Sequence, residues 1–256
     1  MKPLNLVEHD ISLLSHDQWV FLSNLIHLYD NNNALPVCTR HSHELDSLHP
    51  KLRFKIDSNK VMNIVDVIYR VTEPLLQSNR TIDQLSARDR SIVLYGACDN
   101  VSCLNGCFVL RESGLLNSLA FQQGLEKTFG PIPYYLTIKA ARLLGEDIIL
   151  IKLALGLIAF CTSNCTIMNK DESVMYVRDY RRFLNIQNAY AELIWKYLIY
   201  RYSFGETVIR YSNLIQCFLF QLTTRIHLQD IKDHTNAVDV LIQNIEQQYQ
   251  MDIHSS

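Results

Sequence analysis

The segment "HSHELDSLH" sets His41, His43, Glu44, Asp46 and His49 close together. These side chains hold a metal ion when three or four of them converge from different directions. No matching ligands stand elsewhere in the chain, so a solvated connecting loop is the expected reading. Seven cysteines are present. Cys103 and Cys107, and Cys161 and Cys165, are four apart, which puts each pair on one face of a helix. No C-x-x-C occurs, which excludes a zinc finger or ribbon. An odd cysteine count without framework spacing describes small buried thiols in a reducing compartment. There is no glycine-rich phosphate loop and no nucleophile–base spacing. The expectation is a protein that is not an enzyme and carries no cofactor or metal. One chemical oddity remains. In "TIDQLSARDRSIVLYGACDNVSCL" a charged pair, Asp89 and Arg90, immediately precedes a long apolar run.

The elements that must position these residues read as helices. Hydrophobic residues make up 48% of the 256 and charged residues 20%, enough for a full core and against disorder. Only 8 glycines and 6 prolines are present, too few for the many turns of a sandwich or barrel. A formal charge of −2 leaves no electrostatic footprint for nucleic acid. The N-terminus has no uninterrupted apolar stretch of the signal-peptide kind. Ile148 to Cys161 is the best membrane-span candidate, but it is too short and Lys152 interrupts it.

Ser15 with Gln18 three residues on spells a capping box, followed by an apolar face of Leu22, Leu25, Ile26 and Tyr29 and a stop at three asparagines. Residues 34–57 show no sustained period and read as a long loop. Val61, Ile64, Val65 and Ile68 share a face of the next helix, which Pro74 bends or ends. Val93, Ala97, Val101, Leu104 and Phe108 recur at three and four in a helix apolar nearly all round, closed by Arg111. That pattern predicts the centre of the fold. "GLLNSLAFQQG" reads as a short hairpin or turn. Two helices broken near Gly145 follow. Then come one with Ile186, Tyr190, Leu193 and Tyr197 in line and one with Tyr211, Ile215, Phe218 and Leu222 in line. The pattern gives a single all-α domain over 1–256, its core about 11–250, with nine to eleven helices.

The run Ile82-x-x-Leu85-x-x-x-Asp89-Arg90-x-x-Val93-Leu94 resembles the ligand-binding-domain signature of nuclear receptors, Phe-x-x-Leu-x-x-x-Asp-Gln-x-x-Leu-Leu. "LSHDQWVFLSNLIHLY" is similar to that family's first helix, and "GEDIILIKLAL" to its acidic-apolar-Lys helix. "NIQNAYAELIWKYLIYRY" followed by "IRYSNLIQ" is similar to its last two long helices, with an Arg–aromatic pair at Arg210 and Tyr211. The likeness spans about residues 11 to 228. No zinc-dependent DNA-binding domain is in this chain, so no direct DNA contact is expected of it.

The resemblance implies a three-layer antiparallel helical sandwich whose middle layer is the cysteine-rich helix. It implies a regulatory, nuclear module, shared with the cytoplasm, that binds a small lipophilic ligand and recruits coregulators. The family's pocket register falls on Ile64, Val65, Ile68, Ser102, Gly106, Val109 and Arg111, with Arg111 placed to meet a carboxylate or keto oxygen. The coregulator groove falls on Gln77, Val93, Leu94, Tyr95 and Asn244. Gln77 stands where the family has a clamp Lys, and Asn244 where it has the Glu of a short activation helix, here sought at Val240–Gln248. Residues 236–250 could instead continue the preceding helix, leaving no activation helix. Arg80 or Glu246 would supply a clamp charge if the register slips. Cys98 and Asn100 replace the family's central-helix Trp and Glu. A dimer face falls on Ile215, Phe218 and Leu222, for a homodimer or a heterodimer with a retinoid-X-receptor-like partner. The alternative is a ligand-independent dimerisation or corepressor-type module of the same fold. The interior distinguishes the two: a cavity of a few hundred Å³ favours a ligand, and a filled one favours the module.

Overall fold

The computed structural model describes residues 14–49, 58–77, 79–161 and 179–255. Among them are eleven α-helices, a 3-10 turn at Leu115–Asn117 and no strand, so the fold is all-α as composition required. The helix face expected to carry Cys161 with Cys165, and residues 50–57 of the expected loop, reach outside the described residues.

Helix α1, His16–Asn31, starts on the expected capping box. The Ser15 hydroxyl accepts from the Gln18 backbone N–H, and the Gln18 side chain accepts from the Ser15 N–H. Leu22 and Tyr29 are buried from its apolar face. The expected loop at 34–57 is corrected over most of its length: Leu35–Ser47 is helix α2, with Pro36 in its first turn. A proline there gives up an N–H that no helix start can use. Cys38 and Ser42 supply the few inward positions, which is why no periodicity announced the helix. His41 pairs with Glu44 at 3.1 Å on its surface, and no metal-holding cluster forms among the described residues.

Helix α3, Ser58–Gln77, runs through Pro74 for one more turn. After a four-residue turn of helix, α4 at Arg80–Asp83, comes the long α5, Ala87–Glu112. Its cap explains Asp89. The Ser86 hydroxyl accepts from the Asp89 backbone N–H, so the acid lies in the first turn, where the helix dipole favours it. All five apolar positions singled out on α5 are buried. This helix touches α2, α3, α4, α7, α8, α10 and α11, the last four defined below, and is therefore central as expected. It alone of the described helices is long and apolar enough to cross a membrane, and its residues are spent on the core.

The expected hairpin after Arg111 is instead the 3-10 turn followed by helix α6, Leu119–Phe129, capped by Ser118. Helix α7, Pro131–Leu143, and helix α8, Ile148–Ala159, break at Gly145, whose φ of +64° a glycine adopts without strain. Lys152, 1% exposed in the middle of α8, is reconciled with its apolar surroundings by Asp30 at 2.6 Å and by the Tyr29 ring 5.3 Å from its ammonium.

Helices α9, Tyr180–Arg201, and α10, Phe204–Leu228, are long and consecutive. The last helix, α11, spans Lys232–Ser255. It is neither a short activation helix nor a continuation of α10, because residues 229–231 separate the two. It packs on α3 and α5, burying Val238, Leu241, Ile242 and Ile245.

Candidate ligand cavity and coregulator face

A cavity lies where α3, α5, α6, α7, α10 and α11 meet, with a volume of about 70 Å³. Val65, Ile68, Ser102 and Gly106 line it, as the sequence placed them. Ser102 donates to Thr72 at 3.0 Å, and Thr72 donates to the Ile68 carbonyl at 3.2 Å, so neither hydroxyl proton is free for a ligand. Three expected lining residues are elsewhere. Ile64 and Val109 are core residues. Arg111 turns away: it donates to the carbonyls of Ala141, at 2.7 Å, and of Gly145, and it pairs with Glu112. The carbonyls at the end of α7 lack helical partners, and a guanidinium fork satisfies two at once. Arg111 is thus a splint between α5 and the α7–α8 corner.

Beside the cavity is a buried charged network that the sequence did not reveal. Asp99 on α5 stands 2.5 Å from Arg225 Nε of α10 and 3.2 Å from His234 Nε2 of α11. His234 Nδ1 lies 2.6 Å from the Tyr69 hydroxyl of α3. An ionised carboxylate only accepts, so His234 donates through Nε2, while its Nδ1 shares a hydrogen bond with the Tyr69 hydroxyl. Burial acts most strongly on Asp99 and would raise its pKa. The His234 hydrogen bond and the Arg225 charge outweigh that, and the carboxyl sits below its usual range. The Arg225 contact is an ion pair at close range without a well-aimed hydrogen bond, and its Nη1 has no partner among the described residues.

This constellation does not read as a catalytic one. Burial, reinforced by neighbouring acids, holds Tyr69 well above its ordinary pKa. The Cys103 thiol, donating to Asp99 at 3.4 Å, is likewise pushed well up, first by burial and then by Asp99. Cys107 is pushed up to about 12 by burial. Each is a protonated side chain, and an activated nucleophile needs the reverse. Asp99 was missed in the sequence, although an acid stranded in an apolar helix is a signal that could have found it. Arg225 and His234 carry no such signal, because each looks like an ordinary helix-terminal residue in sequence.

The coregulator positions are rearranged relative to expectation. The clamp residues should bracket a two-turn peptide helix from opposite ends. Instead, Gln77 donates to one oxygen of Glu73 at 3.1 Å and Asn244 to the other at 3.4 Å, so both meet on one carboxylate. Val93 and Leu94, expected as an open apolar floor, are buried, while Tyr95 is exposed. Glu246 accepts from Ser91 of α5 at 2.7 Å, tying α11 down across the start of the central helix.

The expected dimer stripe is corrected by burial. Ile215 is exposed, but Phe218 packs against the core and Leu222 is half buried. The exposed apolar stripe on α10 is Val208, Ile215, Leu219 and Ile226. The inward seam is Leu214, Cys217, Gln221, Thr224, Arg225 and Leu228. Three polar residues inside that seam are what disguised it.

No protein-family model matches the chain, and no curated protein matches it.

Proposed function

We propose that this chain is a ligand-independent interaction module of the nuclear-receptor ligand-binding-domain type. The observation that carries this reading is the size of the interior cavity. Sites for lipophilic ligands hold roughly 300–1,000 Å³, and this one holds about 70 Å³. The side chains that fill the receptor's pocket position are pinned to one another, so no ligand is needed to complete the core. On this reading the helices form the three-layer sandwich, with α5 in the middle layer.

The position of α11 supports the same conclusion. Val238-x-x-Leu241-Ile242 has the apolar spacing of an LxxLL peptide, and those residues are buried where α11 meets α3 and α5. The chain's own last helix then occupies the face a coactivator helix would take, a helix-in-groove contact made internally. Such a module works by engaging other proteins, as a homodimer or with a retinoid-X-receptor-like partner through α10, in the nucleus, without catalysis of its own.

Native mass spectrometry of the purified chain tests the reading. The expected outcome is the mass of the polypeptide alone, as monomer or dimer. A stoichiometric bound lipophile would overturn it.

A further inference from the structure

Helices α3 and α11 leave a groove between them on the outer surface, with a volume of about 620 Å³. It is separate from the inner cavity, although Tyr69 lines both. Its charge is one-sided. Asp66 and Glu73 from α3 and Asp233 from α11 face it, against the single cation Arg70. None of the four forms an ion pair among the described residues, and Glu73 carries only the two amide contacts already given. Carboxylates crowded along a concave surface raise the local concentration of cations, because the low-dielectric walls focus the field.

The groove is not purely polar. Met62 and Val240 line it, and Val240 is 55% exposed, whereas Val238, Leu241, Ile242 and Ile245 of the same helix are buried. The amides of Asn236 and Asn244 stand along the α11 wall, able to donate and accept to a peptide backbone. Spacing favours an elongated occupant. Asp66 and Glu73 are seven residues apart on one helix, about 10.5 Å along its axis at 1.5 Å per residue. On a polyproline-II segment, with three residues per turn and a rise of about 3.1 Å each, cationic side chains three residues apart share one edge about 9 Å apart.

We propose that the α3–α11 groove binds an extended basic segment of a partner protein, with lysine or arginine three residues apart and an apolar side chain between them. The cations pair with Asp66 and Glu73, and the apolar residue covers Val240. A nucleic acid is the wrong charge for this surface. The proposal rests on α11 lying fixed along α3, not on the receptor reading. A chain that bound a lipophile would still present the groove.

The test is fluorescence anisotropy with the full chain and a labelled Arg-Leu-Ala-Arg-Leu-Ala-Arg peptide, with the same peptide carrying Glu for Arg as control. Saturable binding of the basic peptide, weakened by added salt and absent for the acidic one, is expected. Asp66→Asn with Glu73→Gln should weaken it about tenfold, since each exposed pair is worth up to about 1 kcal/mol. Val240→Lys should abolish it, while Glu126→Gln on α6 leaves it unchanged. Thermal unfolding of each variant checks that the fold persists. Equal binding by the acidic peptide, or by the folded Asp66/Glu73 or Val240→Lys variants, would overturn the proposal. So would binding of spermine with none of the peptide, which would make the groove a polyamine site.

Discussion

Gly156 shows how one missing methyl sets the packing around α8. A Cβ at this position would lie 2.2 Å from Tyr190 Cε1 and 2.9 Å from two more ring atoms. The ring cannot yield. It is buried, stacked on Phe160 at 5.8 Å and edge-on to Phe21 at 4.9 Å. Gly156→Ala should therefore destabilise the chain by about 1–3 kcal/mol through overpacking, although alanine is the better helix former. An unchanged urea midpoint would refute this contact. Asp99 makes the opposite argument, from charge. Asp99→Asn strands Arg225 in the interior and should cost on the order of 3–5 kcal/mol at neutral pH. The folded pKa of Asp99 is depressed, so its contribution is fully present above the unfolded value of about 4 and is lost as pH falls through the lower folded value. The stability gap between parent and Asp99→Asn should hold from pH 7 to about pH 5 and narrow below pH 4. A gap that narrows instead between pH 5 and pH 7 would place the titrating group elsewhere. Asp99 could have been singled out in the sequence, because an acid in an apolar helix must find a partner. Its partners could not, since nothing in the sequence says which distant cation arrives.

At the scale of elements, Asp147 governs the α7–α8–α9 corner. It caps α8 by accepting the Ile149 and Leu150 backbone N–H groups at 3.1 Å. It also accepts the hydroxyls of Tyr197 at 3.0 Å and Tyr202 at 2.7 Å. Arg210 stacks on Tyr202 with its guanidinium carbon 4.1 Å from the ring centre. Asp147→Ala removes a cap worth about 1 kcal/mol and leaves two phenols without their acceptor, so a loss of about 2–4 kcal/mol is expected. Asp147→Asn, which still accepts, should recover part of it. Denaturant melts of the two variants give the comparison, and equal losses would contradict the capping account. On α10 the correction matters for any dimer test. Phe218→Asp would disrupt the core and report nothing about association. Ile215→Lys with Leu219→Lys alters only exposed positions and should keep the melting temperature while shifting a dimer to monomer in light scattering. An oligomeric state unmoved by the pair would remove α10 as the interface.

For the whole molecule, the placement of α11 decides what the outer faces can do. With Val93 and Leu94 covered, LxxLL peptides should bind weakly, at best with dissociation constants above about 0.1 mM, near −5.5 kcal/mol. Restoring the receptor charges by Gln77→Lys with Asn244→Glu should not rescue binding, because both residues meet at Glu73 rather than at the two ends of a groove. Peptide titration by fluorescence anisotropy checks both statements. Tight binding by the parent would show that α11 leaves this face readily.

The all-α class, the capping box at Ser15, the break at Gly145 and the central place of α5 were decided by the sequence alone. Each follows from local chemistry or from apolar periodicity, which a linear chain displays in full. Helix α2 was hidden because it buries few of its residues and so carries no period. The inward seam of α10 was hidden because Gln221, Thr224 and Arg225 are buried polar residues: Gln221 donates to Cys107 and Arg225 pairs with Asp99, both far along the chain, while Thr224 donates to the Phe220 carbonyl of its own helix. Only the tertiary structure set the cavity near 70 Å³, turned Arg111 to the α7–α8 corner and laid α11 across α3 and α5. Those outcomes depend on side chains from separate helices filling or leaving the same space. The pattern within any one helix is identical whether its buried face meets a ligand, another helix or its own chain's end.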